Sequence, residues 1–231
     1  LNPVDVELEP WTTVGLGRDA FYDRVEERLE FEAGIVQNLQ MSLYLNFSGV
    51  DEDVGAKRRA STSFDGISWE TKWKLADPVA DPIGLAVYAE PELGPFGGEL
   101  EAKVIVDKRF GNFLVASNLV IEHEFDWSDA AALGNEDEVE LNAGLAYFVM
   151  PTFSLGLEAR DVNVIAYDDG PVHWESSVIL AGPVVEWTAQ RFWVALTVMP
   201  QIGAPLGATN ALQNYEDFER VDARLAVGVH L

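Results

Sequence analysis

Cysteine is absent from the chain. That excludes disulfide scaffolds, thiolate metal sites and cysteine nucleophiles together, and it suits an oxidising compartment, where stray thiols are a liability. Bases are scarce: 15 Lys and Arg stand against 39 Asp and Glu, for a formal net charge of −24. Such a balance argues against nucleic acid as a partner, since phosphate binding needs clustered cations. Histidine is limited to His123, His173 and His230, and no zinc-type ligand spacing appears. No cofactor is expected. The uncharged stretch 192–214 is about long enough to span a bilayer, but Pro200, Gly203, Pro205 and Gly207 would break it as a helix. No secretory signal is visible, and the start at Leu1 is that expected of a mature form.

What the chain does have is alternation with a period of two. Leu39, Met41, Leu43, Leu45 and Phe47 alternate with Gln40, Ser42, Tyr44 and Asn46. Ile67, Trp69, Thr71, Trp73 and Leu75 alternate with Ser68, Glu70, Lys72 and Lys74. Val139, Leu141, Ala143, Leu145 and Tyr147 do so with Glu138, Glu140, Asn142, Gly144 and Ala146. Such patterns predict strands with one apolar and one polar face. About twelve segments qualify, spanning 4–14, 23–35, 38–48, 64–75, 83–91, 98–108, 112–125, 137–149, 152–163, 172–187, 191–202 and 218–231. Most run about ten residues or more, longer than the usual five or six. Ten tilted residues rise ~25 Å, the height of the apolar band on a membrane barrel.

Connections alternate in length. Short turns are expected at 36–37, 77–82, 108–112, 150–153 and 188–191, and longer acid-rich loops at 15–22, 49–63, 126–136, 164–171 and 203–217, with 90–97 intermediate. Short periplasmic turns and longer extracellular loops are the outer-membrane pattern. Aromatics gather near the predicted strand ends, at Trp11, Phe21, Tyr22, Phe125, Trp127, Tyr147, Phe148, Trp187, Phe192 and Trp193, where interfacial girdles would place them. The reading is an all-β chain forming a single domain over 1–231, a transmembrane antiparallel β-barrel of about twelve strands in the bacterial outer membrane.

In a membrane barrel the charged face lines the lumen. The expected lumen-facing residues are Glu26, Arg28, Glu30, Glu32, Glu70, Lys72, Lys74, Glu99, Glu101, Lys103, Glu138, Glu140, Glu158, Arg160, Asp222 and Arg224, with His230 sharing their parity on the last strand. Glu27 falls on the apolar face and is expected near a strand end. A soluble closed barrel would show the same alternation inside out. Strand length, aromatic placement, loop asymmetry and the apolar C-terminus favour the membrane.

The closing stretch "RVDARLAVGVHL" (220–231) resembles the C-terminal assembly signal of bacterial outer-membrane barrels, though it ends in Leu231 rather than an aromatic. The segments "VELEPWTTVGLGRD" (6–19), "LQMSLYLNFSG" (39–49) and "DPVADPIGLAVYAEPELG" (77–94) resemble an uncharacterised family of Gram-negative outer-membrane barrels, whose members are labelled porin-like or transporter. The resemblance implies outer-membrane lipid and lipopolysaccharide as surroundings and the barrel assembly machinery as a partner. It implies no catalytic residue.

Chemistry elsewhere is sparse. His123, near Asp126, Ser128 and Asp129, is the best candidate for a lipid-modifying enzyme, with a polar rim histidine as the plainer account. The acid clusters Asp51–Asp53, Asn135–Asp137 and 168–170 suit oxygen-ligated cations or simple solvation, and Lys57, Arg58 and Arg59 suit lipopolysaccharide phosphates or a basic loop tip. The expected function is a narrow, acid-lined passive channel for small cationic or neutral solutes. The alternative is a structural barrel with a filled lumen that binds a protein partner, or a second copy, through its loops.

Overall fold

The computed structural model describes residues 3–127, 136–167, 172–207 and 212–231. Its strands are β1 (Val6–Leu16), β2 (Tyr22–Val36), β3 (Leu39–Val54), β4 (Lys57–Ala76), β5 (Gly84–Leu93) and β6 (Gly97–Phe110). The chain continues through β7 (Phe113–Asp126), β8 (Glu136–Met150), β9 (Phe153–Ala166), β10 (His173–Thr188), β11 (Phe192–Leu206) and β12 (Val221–His230). Neighbours pair antiparallel in chain order, and β12 returns to β1 to close the barrel, with Leu8 opposite Val229 and Thr12 opposite Leu225. Closure satisfies backbone groups that no solvent could reach in a bilayer.

Burial is inverted relative to a soluble protein. Glu70 is 1% exposed and Glu30 2%, while Leu157 is 63% exposed and Leu141 53%. An interior that hides carboxylates and an exterior that presents leucine fit lipid outside and a polar lumen inside. Outward aromatics ring the barrel near the end that carries the termini: Phe110 stacks on Phe113 with ring centroids 6.2 Å apart, Phe113 meets Tyr147 at 5.0 Å, and Trp187 meets Phe192 at 5.2 Å. Toward the other end Phe47 meets Phe64 at 5.3 Å. An apolar band between two aromatic girdles seats the barrel in the outer membrane, with the termini periplasmic.

The periplasmic connections are tight. Asn38 and Gly111 take positive φ (68° and 60°) in the two-residue turns after β2 and β6, a conformation asparagine and glycine accept. In the longer 77–83 turn, Asp77 accepts backbone N–H bonds from Val79 (2.9 Å) and Ala80 (3.1 Å) and pairs with Lys74. These donors hold its carboxyl down at about 2.

Several expectations need correction. Residues 49–63 are not a loop: β3 and β4 run on as a hairpin that turns at Gly55. Its polar sequence hid the strands because both faces meet water beyond the membrane. Glu27 is not at a strand end but lies within β2, between Val25 and Leu29 on the outward face, where the Thr12 hydroxyl of β1 donates to its carboxylate (2.9 Å). Trp11 and Trp193 belong to no girdle. Trp11 lines the interior, bonded to Glu9 at 3.1 Å, and the Trp193 indole N–H donates to Glu7. Ser128, Asp129, Asn135 and 168–170 lie outside the described residues.

Candidate functional site

The barrel encloses a cavity of about 940 Å3, to which every one of the twelve strands contributes lining residues. Alternation places the residues there: even-numbered positions of β2 and odd-numbered positions of β6 point inward, as the polar parity requires. Glu26, Arg28, Glu30, Glu32, Glu70, Lys72, Glu99, Glu101, Lys103, Glu138, Glu140, Glu158, Arg160, Asp222 and Arg224 all line it. Lys74 does not. The β4–β5 register shifts between Lys74 and Ala76, and the ammonium turns out of the mouth to Asp77 (3.2 Å).

Sequence reading missed Glu9, Tyr44, Tyr88, Glu90, Glu92, Glu122, Glu124 and Glu219 as lining residues. The parity of Glu122 and Glu124 on β7 was available. Glu90 and Glu92 were obscured because "EPEL" reads as a connection, with Pro91 suggesting a break.

Most bases of the lining are held by acids. Arg28 pairs with Glu90 three strands away and lies over the Tyr44 ring at 4.3 Å. Lys72 pairs with Glu70 (2.8 Å), which also takes the Tyr44 hydroxyl, and Lys103 pairs with Glu101 (2.6 Å). Arg24 reaches Glu26 and Glu219, and Arg160 stands 3.8 Å from Glu140. The acids outnumber these bases, so the lumen keeps a negative excess.

Many of the inward carboxyls, paired and unpaired, lie in two rows of register partners. The first runs Glu7–Glu32–Ser42–Glu70 on β1 to β4 and continues Glu90–Glu101–Glu122–Glu138 on β5 to β8. The second runs Glu9–Glu30–Tyr44–Ser68–Glu92–Glu99–Glu124 on β1 to β7. The described acids are arranged in lines rather than shells, and no group of three or more among the described residues is placed to hold a metal ion.

At the extracellular mouth the segment 212–220, between β11 and β12, folds inward. Phe218 packs on the apolar patch Val162, Val178, Leu180 and Met199. Fully buried Asn214 exchanges bonds with Gln201 (2.7 and 2.9 Å), and Glu219 takes Arg18 at 2.8 Å. Phe218 and Glu219 were expected in the last strand; they instead narrow one side of the cavity. At the periplasmic seam, Glu7 receives His230 at 3.0 Å and the Trp193 indole, joining β1 to β12 and β11. Glu7→Ala is expected to cost about 1–3 kcal/mol by stranding the indole N–H. Urea unfolding in lipid vesicles checks it.

The other candidates resolve outside the lumen. His123 points outward, its Nδ1 bonded to Asp137, whose other oxygen takes the Tyr167 hydroxyl. Phe125 sits edge-on to the imidazole at 4.5 Å. No nucleophile is paired with this dyad among the hydrogen bonds of the described residues. Arg58 is held by Asp51 through two bonds (2.8 and 2.7 Å) and lies over Phe21 at 3.8 Å.

The architecture has close counterparts in solved structures. The COG4313 outer membrane channel from Pseudomonas putida F1 aligns over 100% of this chain and 97% of its own, with TM-score 0.72 and 9% identity. The NanC porin aligns over 98% and 100% (TM-score 0.60, 8% identity), and the KdgM porin over 96% and 98% (0.55, 8%). What they share with this chain is the barrel. No curated protein sequence matches. Residues 4–231 match the profile of a family of unknown function, DUF6662, and the chain belongs to that family.

Proposed function

We propose that the barrel is a narrow passive channel for small cationic or neutral solutes. The observation that carries this reading is the acid-rich cavity of about 940 Å3 inside a closed barrel. Fixed carboxylates in a low-dielectric tube raise the local concentration of cations and repel anions. Twelve strands also lie between the filled eight-stranded and the open sixteen-stranded barrels, which suits a narrow bore. The fold of the solved channels and porins agrees with a channel and says nothing of the solute.

A second reading has its own support. The Arg28–Glu90 bridge across intervening strands and the in-folded Phe218 both fill space, as a structural barrel with a sealed interior would. Osmotic swelling of proteoliposomes separates the two. Swelling in isosmotic neutral and cationic solutes, with slower entry of an anion of equal size, is the channel result. No swelling from folded protein is the result of a sealed barrel.

A further inference from the structure

The two carboxylate rows connect the ends of the barrel. The first starts at Glu7, near the periplasmic beginning of β1, and ends at Glu138, near the extracellular beginning of β8. The second starts at Glu9 and ends at Glu124, close to the extracellular end of β7. Register partners lie perpendicular to tilted strands, so a row followed from strand to strand climbs the wall as a spiral. Adjacent strands stand about 4.8 Å apart, which sets the step along each row.

Parts of the rows are compensated, at Glu70 by Lys72, Glu90 by Arg28 and Glu101 by Lys103. Others are bare: no base among the described residues lies in ion-pair contact with Glu9, Glu30, Glu99 or Glu122. A separate observation points to a hydrogen-bond-donating ligand. Asn46, which lines the cavity, is more than nine-tenths buried, and its Oδ1 has no hydrogen-bond partner among the described residues. The lone acceptor of Asn46 needs a donor that the surrounding acids, as carboxylates, cannot supply.

Deepening the channel reading on which it rests, we propose that the two rows form a track for linear polyamines. A point ion would call for a shell of carboxylates, which the described residues do not form. A line of them at strand spacing matches ammonium groups separated by three or four methylenes. Each ammonium passes from one carboxylate to the next, with Ser42, Tyr44 and Ser68 presenting hydroxyl oxygens where the rows lack an acid. The narrowing by Phe218 favours an unbranched chain over a bulky cation.

The test applies spermine to a single open channel carrying potassium current in a planar bilayer. Spermine is expected to block in a concentration- and voltage-dependent way, with magnesium at equal concentration much weaker. Glu30→Gln with Glu99→Gln should weaken the block by about tenfold or more, the equivalent of one charge-assisted hydrogen bond. Glu186→Gln, off both rows, should leave it unchanged. Equal block by magnesium, an undiminished block in the double variant, or no block of a conducting channel overturns the track. Where the folded barrel passes no current, the channel reading fails by itself. Calorimetric titration of spermine into the detergent-solubilised barrel then decides the track: binding that the double variant weakens supports it, and no binding overturns it. A heat-modifiable gel shift verifies that each variant is folded, and Glu124→Gln serves if the double variant is not.

Discussion

Leu225→Arg is expected to destabilise the barrel by about 2–4 kcal/mol, while Val229→Arg on the same strand costs about 0–1 kcal/mol. Leu225 sits mid-strand on the outward face of β12 and is 43% exposed, whereas Val229 lies near the periplasmic end. In lipid, a guanidinium at the midplane must be desolvated or drag water inward, and near the interface it snorkels to the headgroups. The same outward position on a water-facing barrel would accept arginine with little cost. Reversible urea unfolding in vesicles reads both variants, and equal stability for Leu225→Arg and wild type would place this face in water.

Arg28→Met is expected to cost about 2–3 kcal/mol, through the acid it abandons rather than through its own lost contacts. Glu90 is 4% exposed and, among the described residues, would keep only the Tyr88 hydroxyl as a hydrogen-bond partner. The cost falls short of the ~3–5 kcal/mol of a fully buried pair because the Arg28 side chain is 36% exposed to the lumen. Adding Glu90→Gln should recover much of the loss, since the stranded charge is then gone. If the double variant is no better than the single one, the bridge contributes packing over Tyr44 and not charge compensation.

The fold was legible because a membrane barrel writes its geometry into parity. Each of the twelve predicted segments overlaps one strand, and the inward set on β2, β6, β8, β9 and β12 follows from alternation alone. Legibility failed where water touches both faces, as in the β3–β4 hairpin above the membrane, since no apolar stripe is needed there. It failed again where the chain enters the lumen without being a strand. Phe218 and Glu219 have the parity of a strand start, and the hydrogen bonds of Asn214 to Gln201, the packing of Phe218 and the Arg18–Glu219 pair fix them as an inward fold. Nor could the sequence show rows of glutamates. Residues as distant as Glu9 and Glu124 share a line only through the registers of the intervening strands. Glu27 makes a related point, because alternation alone marked it as a misplaced charge and the Thr12 partner appears only across the β1–β2 pair.

The central claim is that this lumen conducts and that its carboxylates select what passes. The most direct measurement is the reversal potential of single channels in a planar bilayer under a potassium chloride gradient. The account predicts a cation-selective potential that moves toward zero when Glu30, Glu101 and Glu140 are all replaced by Gln. A folded barrel that passes no current, or a potential of anion-selective sign, would contradict it.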